Sequence, residues 1–295
     1  MSLKYLLCGM AFVACATIAR AFNNVPESIS ASIFLKVPGN DAKRYPLTFQ
    51  KSQNNNGTYY LENSEKMPLT VSQNIVDGDD GLRISVSITA LEDIYFNYSQ
   101  QVATDFRHND CLFYMPGFWY RRNLRSPKEA PSFHTSDSWI VSEDRLSAPL
   151  TGIFCEKKQR FMTVNRLDKF VNSTLATHRE GEIILSDKTS LGYTGFENKD
   201  GVSFGFPYRE APKSYIRKLT LAPAVTAYQH LKKGETILLT WQITEGEAKD
   251  YSDFVRHTWE YCYDTYLPKP VDTPYSIEYM KQTLSQFFVS SFVDK

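Results

Sequence analysis

The sequence predicts a mainly β protein, a large antiparallel β-sandwich followed by a short C-terminal helical hairpin. Three observations predict it: strand-like alternation between residues 30 and 243, turn residues that separate these segments, and a change to helical spacing after residue 249. Alternation of apolar and polar residues places one face of a strand on a core. Because no helical pattern interrupts the strands, two packed antiparallel sheets are the expected architecture.

The alternation is most regular in residues 82–89 and 237–243, where every second residue is Leu, Ile, Val or Trp. Gly, Pro, Asn and Asp bound the other predicted strands, which are shorter. These strands cover residues 30–37, 45–51, 58–63, 112–114, 139–142, 151–156, 160–164, 182–185, 201–206 and 217–221. The span 22–249 exceeds an immunoglobulin-type module of about 100 residues, so we predict one oversized sandwich.

Two amphipathic helices are predicted in residues 250–295. Asp250 is the expected N-cap of the first helix, and Pro268 ends it. Pro274 is expected at the first position of the second helix, whose apolar stripe runs through residues 277–292. Such a stripe needs a covering partner. We therefore expect the beginning of a truncated helical array, or a helical hairpin that has lost its partners, with self-association through the exposed C-terminal helices.

Residues 1–21 have the layout of a secretory signal peptide. Lys4 supplies a positive charge, an apolar stretch follows, and residues 19–21 (Ala-Arg-Ala) form a small-x-small cleavage site. We expect a periplasmic or secreted protein with no membrane span, since no later segment is long and apolar enough. Lipoprotein anchoring through Cys15 is the less favoured alternative, because Phe12 occupies the position usually given to Leu.

Composition argues against several kinds of site. The 33 basic and 33 acidic side chains give no net charge, and the absence of basic runs argues against nucleic acid. Beyond residue 21 the cysteines are Cys111, Cys155 and Cys262, whose wide spacing describes neither a disulfide framework nor a zinc site. Residues 77–81 are interpreted as an acidic hairpin turn and not a calcium loop, since the closing bidentate Glu is missing. No metal or cofactor is expected.

The richest cluster of functional side chains lies in residues 114–125. Aromatic faces pack on sugar C–H surfaces, and guanidinium groups pair with carboxylates such as uronates. The sequence therefore predicts binding of a polysaccharide or oligosaccharide, including uronate-containing ones. The predicted carbohydrate-binding residues are Phe118, Trp119, Tyr120, Arg121, Arg122, Asn123, Arg125 and Trp139. The alternative is a sandwich corner, with the aromatic residues in the core and the arginines solvated or paired with Glu129 and Asp137.

Glu143 and Asp144 are weak candidates for the carboxylate pair of a glycoside hydrolase. Adjacent residues of a strand point to opposite faces, so the two cannot face one substrate without a bulge. A surface ion pair with Arg145 is the favoured interpretation. The chain by itself is therefore expected to be inactive, with its catalytic residues unknown.

Two parts of the sequence carry a family resemblance. Residues 246–254 (GEAKDYSDF), followed by Trp259-Glu260-Tyr261, resemble the junction between an N-terminal β-sandwich and an (α/α)6 toroid in six-hairpin glycosidases. Residues 114–127 (YMPGFWYRRNLRSP) and 139–147 (WIVSEDRLS) are similar to the supersandwich-like half of exported, Bacteroidetes-type members of that class.

The resemblance implies the non-catalytic N-terminal sandwich of a secreted glycan-degrading enzyme, whose loop contributes to the substrate cleft. In such enzymes the acid and base carboxylates lie mainly in the toroid. A stand-alone carbohydrate-binding or surface-assembly protein is the alternative. Part of a polysaccharide lyase is a lesser one, because one layout serves several chemistries.

Overall fold

The computed structural model describes residues 28–52, 57–123, 139–168, 178–187, 189–197, 201–211, 224–267 and 274–291. The predicted signal peptide, the strand predicted at 217–221 and Arg125 lie outside these ranges. The described strands of the first half are β1 (Ile29–Lys36), β2 (Lys43–Lys51), β3 (Thr58–Glu62), β4 (Leu69–Gly78), β5 (Gly81–Ala90), β6 (Ile94–Val102), β7 (Cys111–Met115), β8 (Trp119–Arg121) and β9 (Trp139–Ser142). Those of the second half are β10 (Leu150–Cys155), β11 (Arg160–Arg166), β12 (His178–Glu180), β13 (Ile183–Ser186), β14 (Tyr193–Phe196), β15 (Val202–Phe206), β16 (Arg209–Glu210), β17 (Val225–Leu231) and β18 (Thr236–Glu247).

These strands form two sheets in a sandwich-like arrangement, which confirms the predicted fold class. Sheet B runs in the order β2, β3, β4, β5, β18, β11, β10, β7, β8, with every pairing antiparallel. Sheet A is built around β6, which pairs with β1 on one edge and with β15 and then β17 on the other. Strand β2 joins the sheets, because residues 43–47 pair with β1 and residues 48–51 with β3.

The remaining strands of sheet A extend it beyond β15 and β17. Strand β15 pairs with β14, which pairs in turn with β9. Strand β17 pairs with β16 and, in parallel, with β13, which carries β12. The acidic hairpin turn predicted at 77–81 is confirmed, since Gly78 and Gly81 are the last paired residues of β4 and β5.

The apolar core lies between the two sheets. The alternating residues of β5 and β18 supply its centre, as their period-two pattern predicted; buried there are Leu82, Ile84, Val86, Ile88, Leu239, Trp241 and Ile243. The ring of Trp241 on sheet B lies 6.3 Å from that of Tyr98 and 5.2 Å from that of Phe204, both on sheet A. These contacts hold the two sheets against each other.

Helix α1 (Tyr251–Tyr266) packs its first turns on the outer side of sheet B. The ring of Phe254 lies 5.8 Å from that of Phe154 on β10 and 5.2 Å from that of Phe161 on β11. Gly152 makes room for it, because a Cβ at that position would lie 2.8 Å from Phe254 Cζ. The predicted N-cap is confirmed, since Asp250 Oδ1 accepts a hydrogen bond from the Asp253 amide at 2.8 Å.

The chain divides into two compact units, Met1–Thr258 and Trp259–Lys295. The second unit contains helix α2 (Ile277–Ser291), whose N-cap is Ser276, because its Oγ accepts from the Tyr279 amide at 3.1 Å. The predicted start at Pro274 was wrong. Every residue of α2 is exposed, including its apolar stripe, and self-association through it stays a prediction. No helix within the described ranges is long and apolar enough to cross a membrane.

A small polar cluster interrupts the core. Gln73 Oε1 on β4 accepts from Gln100 Nε2 at 3.1 Å and from Tyr98 Oη at 3.4 Å, both on β6. Gln73 Nε2, Gln100 Oε1 and Trp241 Nε1 are buried without a hydrogen-bond partner among the described residues. A buried polar atom without a partner costs its full desolvation penalty, so the cluster is a weak point of the core.

We predict non-additive effects of substitutions at Gln73 and Gln100. Gln73→Leu removes the only described acceptor of the Gln100 amide and should lower the free energy of unfolding by about 1–3 kcal/mol. In Gln73→Leu/Gln100→Leu neither side-chain amide is left buried and only the Tyr98 hydroxyl lacks its acceptor, so the loss of stability should be smaller than the sum of the two single losses. Urea denaturation measures both, with Gln50→Leu on the exposed face of β2 as the control. A double variant whose loss equals the sum of the single losses would contradict this account.

Candidate functional site

The structure places the aromatic part of the predicted binding loop against the core. Trp119 on β8 has no exposed surface, and its ring lies 5.4 Å from that of Trp139, which is 3% exposed. Phe118 is partly buried against the same core cluster. Neither indole therefore presents a face to solvent.

The polar residues of the loop bind neighbouring parts of the fold. Arg121 donates its backbone N–H to Tyr251 Oη at 3.0 Å, and its guanidinium lies 5.1 Å from the centre of the Tyr251 ring. Burial raises the pKa of Tyr251 to about 12, so this phenol is neutral at physiological pH. Arg122 Nε donates to the carbonyl of Cys111 at 3.1 Å.

Tyr120 is the most exposed aromatic residue of the loop, at 50%. Its amide donates to Asn123 Oδ1 at 3.2 Å, and its hydroxyl accepts from the Gly117 amide at 2.9 Å. Asn123 has a φ of 49°, a conformation in which Asn is one of the favoured residues. Tyr120 and Arg121 are thus the exposed parts of the predicted site among the residues that the structure describes.

Glu143 and Asp144 lie in different environments. They belong to a short 3-10 helix, Glu143–Arg145, where the sequence suggested a strand. The Glu143 side chain is 1% exposed and accepts from Arg166 Nη1 and from the Gly192 amide, each at 2.7 Å. Asp144 is exposed. The interpretation of Glu143 as a surface residue was wrong, because its true partner, Arg166, comes from a strand 23 residues away.

The buried pair extends into a network that joins both sheets. Arg166 Nε donates to Asp168 Oδ2 at 3.0 Å, and Asp168 accepts from the Thr240 amide on β18. Burial raises the pKa of Glu143, while the Arg166 guanidinium and the Gly192 amide oppose that rise. Burial alone would lower the pKa of Arg166, but the carboxylates of Glu143 and Asp168 outweigh it and raise that pKa. The Glu143 carboxylate is therefore enclosed and hydrogen-bonded within the fold.

We predict that Arg166→Met destabilises the protein more than Glu143→Gln. Arg166→Met leaves a buried carboxylate without its counter-charge and should cost about 3–5 kcal/mol, whereas Glu143→Gln leaves Arg166 paired with Asp168. In Arg166→Met burial still raises the Glu143 pKa while the guanidinium no longer opposes that rise, so the folded variant takes up the proton at a higher pH than folded wild type. The Arg166→Met penalty should therefore shrink between neutral pH and about 4.3, the ordinary Glu value.

Urea denaturation at several pH values measures these effects. Asp144→Asn, a neutralised exposed neighbour, is the control and should change stability by no more than about 0.5 kcal/mol. Equal losses for Arg166→Met and Glu143→Gln, or a penalty that grows as pH falls, would contradict the buried ion pair.

A second cluster lies on the face of sheet A that points away from the core. On β6, Phe96 and Tyr98 face the core with no exposed surface, so Tyr95, Asn97 and Ser99 point to the opposite side. The register continues this face across neighbouring strands: Tyr95 lies opposite Lys36 and His230, Asn97 opposite Phe34, and Ser99 opposite Ser32 and Gly205. Four residues of strand separate Tyr95 from Ser99, or roughly 13 Å.

Arg209 occupies the centre of this surface, which we call the Arg209 face (Phe34, Arg44, Tyr95, Tyr193, Arg209 and His230). Its guanidinium lies 5.6 Å from the centre of the Phe34 ring and 5.3 Å from that of Tyr193, and its side chain is 23% exposed. Arg44 lies opposite Phe34 on β2, with its guanidinium 5.8 Å from the same Phe34 ring. Two guanidinium groups from separate strands therefore meet at one aromatic ring.

Tyr193 contacts Arg209 and helps to fix its position. Its ring lies over Gly205, where a Cβ would come within 2.6 Å of Tyr193 Cε1, so only glycine leaves this path across the sheet open. The Tyr193 hydroxyl reaches Ser99 Oγ at 2.6 Å and accepts from Arg209 Nη1 at 3.4 Å. Burial raises the pKa of Tyr193, although Arg209 opposes this, so the phenol is a neutral hydrogen-bonding group.

The other end of the Arg209 face carries a stacked pair of rings. Tyr95 and His230 have ring centres 4.7 Å apart and planes 20° apart, and His230 Nδ1 lies 3.4 Å from Asp187 Oδ1. Between the two ends, Asn97 Nδ2 donates to the carbonyls of Pro207 and Ala227, each at 2.9 Å. Along this edge of β6, β15 pairs with residues 98–102 and β17 with residues 94–96. The Asn97 side-chain amide supplies hydrogen bonds at the break between these two strands.

The sequence analysis missed all six residues of the Arg209 face. They come from β1, β2, β6, β14, β16 and β17, and only the first two of these strands were predicted. The available signal was the alternation of Tyr95, Asn97 and Ser99 with the apolar Phe96 and Tyr98. Aromatic residues occupy both core-facing and outward-facing positions of β6, and this conceals the alternation.

No family model matches the chain, and no protein of curated function matches it. Solved structures do match. A polysaccharide lyase superposes over 78% of this chain with a TM-score of 0.36 and 11% identity. A galactose mutarotase-like protein from Clostridium acetobutylicum superposes over 74% of this chain and 79% of its own length, with a TM-score of 0.37 and 9% identity. A galactose mutarotase related enzyme from Lactobacillus acidophilus covers the same shares, with a TM-score of 0.35 and 10% identity.

This chain spans 27% of the length of the lyase. At TM-scores of 0.35 to 0.37 these superpositions are too loose to assign a function, so the residues of this chain have to supply it. The resemblance to six-hairpin glycosidases stays a prediction.

Proposed function

We propose that this protein binds carbohydrate on the Arg209 face and prefers acidic glycans such as those that contain uronate. The observation that carries the proposal is the approach of the Arg44 and Arg209 guanidiniums to one half-buried ring, Phe34. A guanidinium presents N–H donors in a planar fork that matches a carboxylate, and an aromatic ring beside it offers an apolar surface for sugar C–H groups.

The face is already organised for binding. Arg209 is held by Phe34, by Tyr193 and by Glu197, whose Oε1 lies 3.7 Å from Arg209 Nη2. Ordering a free arginine on binding costs rotamer entropy, and this side chain has already lost most of it. Arg44 is exposed and lies beside Phe34, so it supplies the adaptable half of the pair.

The aromatic residues extend the surface beyond the arginines. Tyr95 and His230 form a flat stacked pair along the same face, with the His230 side chain 22% exposed. Rings at two positions along one sheet suit an oligosaccharide better than a single sugar. The predicted loop, with Tyr120 and Arg121, lies on sheet B, so the two surfaces are tested by separate variants.

For the protein as a whole, the proposed role is that of the non-catalytic β-sandwich of a secreted, glycan-degrading enzyme of the glycoside hydrolase type. It is supported by the loop motif and by the enclosed position of Glu143. Periplasmic or secreted location is part of this proposal and rests on residues 1–21. A stand-alone carbohydrate-binding protein is compatible with the same Arg209 face.

We predict that Arg44→Gln weakens binding of oligogalacturonides about tenfold or more, because one charge-assisted pair with a carboxylate is lost. Arg209→Gln should weaken it further, since its guanidinium is pre-positioned. Neutral galactose oligomers of the same length should bind Arg44→Gln as they bind wild type. Titration calorimetry on the full chain measures all of these affinities.

Arg83→Gln is the matched control, because Arg83 is an exposed arginine on β5 of sheet B. It should leave every affinity unchanged. A wild type that binds neither glycan would overturn the proposal, as would equal losses in Arg83→Gln and Arg44→Gln. If Tyr120→Ala abolishes binding and Arg44→Gln does not, the site is the predicted loop instead.

We also predict that the purified chain releases no product from acidic or neutral polysaccharides, because its one buried carboxylate of catalytic interest is neutralised by Arg166. Reducing-sugar assays and absorbance of unsaturated uronates distinguish hydrolase from lyase turnover. Product formation that disappears in Glu143→Gln, with the fold intact, would show that this carboxylate is catalytic.

A further inference from the structure

Two cysteines lie opposite each other in sheet B. Strand β7 begins at Cys111 and β10 ends at Cys155, and the antiparallel register pairs these two residues directly. Both are free and buried, with 0% and 2% of their surface exposed. Residues paired in this way have side chains on the same face of the sheet.

Their position in the sheet is compatible with a disulfide. Opposed residues of antiparallel strands have Cα atoms about 4.5 or 5.5 Å apart, and both values lie within the range of about 4.4–6.8 Å found in disulfides. The two thiols are close enough to hydrogen-bond, and Cys111 Sγ also donates to the Arg107 carbonyl at 3.2 Å. The register and the Cα spacing therefore permit a bond between the two sulfurs.

We propose that Cys111 and Cys155 form an intramolecular disulfide when the chain folds in the presence of a disulfide oxidant. A thiolate of one cysteine attacks the external disulfide and releases one external thiol. The second cysteine then attacks the mixed disulfide and releases the other. Two protein S–H bonds are lost, one protein S–S bond forms, and the external disulfide is reduced to two thiols.

The surroundings of the pair decide when this reaction occurs. Burial raises the pKa of Cys111 to about 12, so the folded protein holds almost no Cys111 thiolate at neutral pH. Both side chains are also buried once β7 and β10 have paired, which shields them from an external disulfide, so the bond forms as the chain folds. Whether the finished protein contains the Cys111–Cys155 bond then depends on the redox environment in which it folded.

The bond would also act on a functional segment. It closes the chain from residue 111 to residue 155, which contains β7, β8, β9, β10 and the predicted binding loop. A closed loop of this length restricts the unfolded chain and raises stability. None of the six residues of the Arg209 face lies between residues 111 and 155, so the proposed carbohydrate binding should persist without the bond.

Peptide mapping of the full chain tests the proposal. The protein is refolded with oxidised and reduced glutathione, or with reductant alone, then alkylated and digested with trypsin. Trypsin places Cys111 in residues 108–121 and Cys155 in residues 146–157. The oxidised sample should yield these two peptides linked, with the mass of both less two hydrogen atoms. The reduced sample should yield each one alkylated.

Thermal unfolding of the same samples gives a second measurement. The oxidised protein should unfold about 5 °C or more above the reduced protein, and Cys262→Ser should keep both the linked peptide and this difference. Cys111→Ser/Cys155→Ser should show no dependence on oxidant. The proposal is overturned if both cysteines are recovered singly alkylated after oxidative refolding, or if either one is linked to Cys262.

Discussion

The fold depends on strand β6, which is hydrogen-bonded along both edges and buried on the side that meets the core. One edge is matched by β1, while the other is shared between β15 and β17. That division leaves a break in the ladder, and the Asn97 amide fills it by donating to two carbonyls. Because a buried carbonyl without a donor is costly, this one side chain allows two strands to use one edge.

The same strand produces both the core and the candidate site. Tyr98 faces Trp241 across the sandwich, while Tyr95 and Ser99 face outward beneath His230 and Tyr193. Because successive side chains of a strand point to opposite faces of the sheet, the core residues of β6 and the residues of the candidate site lie on different faces. An outward aromatic face on a β-sheet is costly in water, and here Arg209 and Tyr193 cover part of it. Phe34 and Arg209 remain partly exposed, and this is the surface on which we propose that carbohydrate binds.

Two arginines show how similar groups acquire different roles. Arg166 is 5% exposed and lies between the carboxylates of Glu143 and Asp168, so its donors are used within the fold. Arg209 is 23% exposed and contacts aromatic rings, with its nearest carboxylate oxygen at 3.7 Å. A guanidinium packed on rings keeps donors for a ligand, whereas one enclosed by carboxylates does not. The two arginines differ in their burial and in their partners, and these differences make Arg209, and not Arg166, the candidate for binding a ligand.

The strands with one apolar face, such as β5 and β18, and the capped start of α1 can be predicted from sequence, because their signals lie within a few adjacent residues. At the loop 114–125 the sequence allowed a sandwich corner with buried aromatic residues, but it did not indicate that Trp119 packs against Trp139. Three further contacts are visible only in the folded structure: the Glu143–Arg166 pair, the opposition of Cys111 and Cys155, and the approach of Arg44 and Arg209 to Phe34. Each joins residues that are distant in the chain, and strand register, which no local pattern encodes, brings them together.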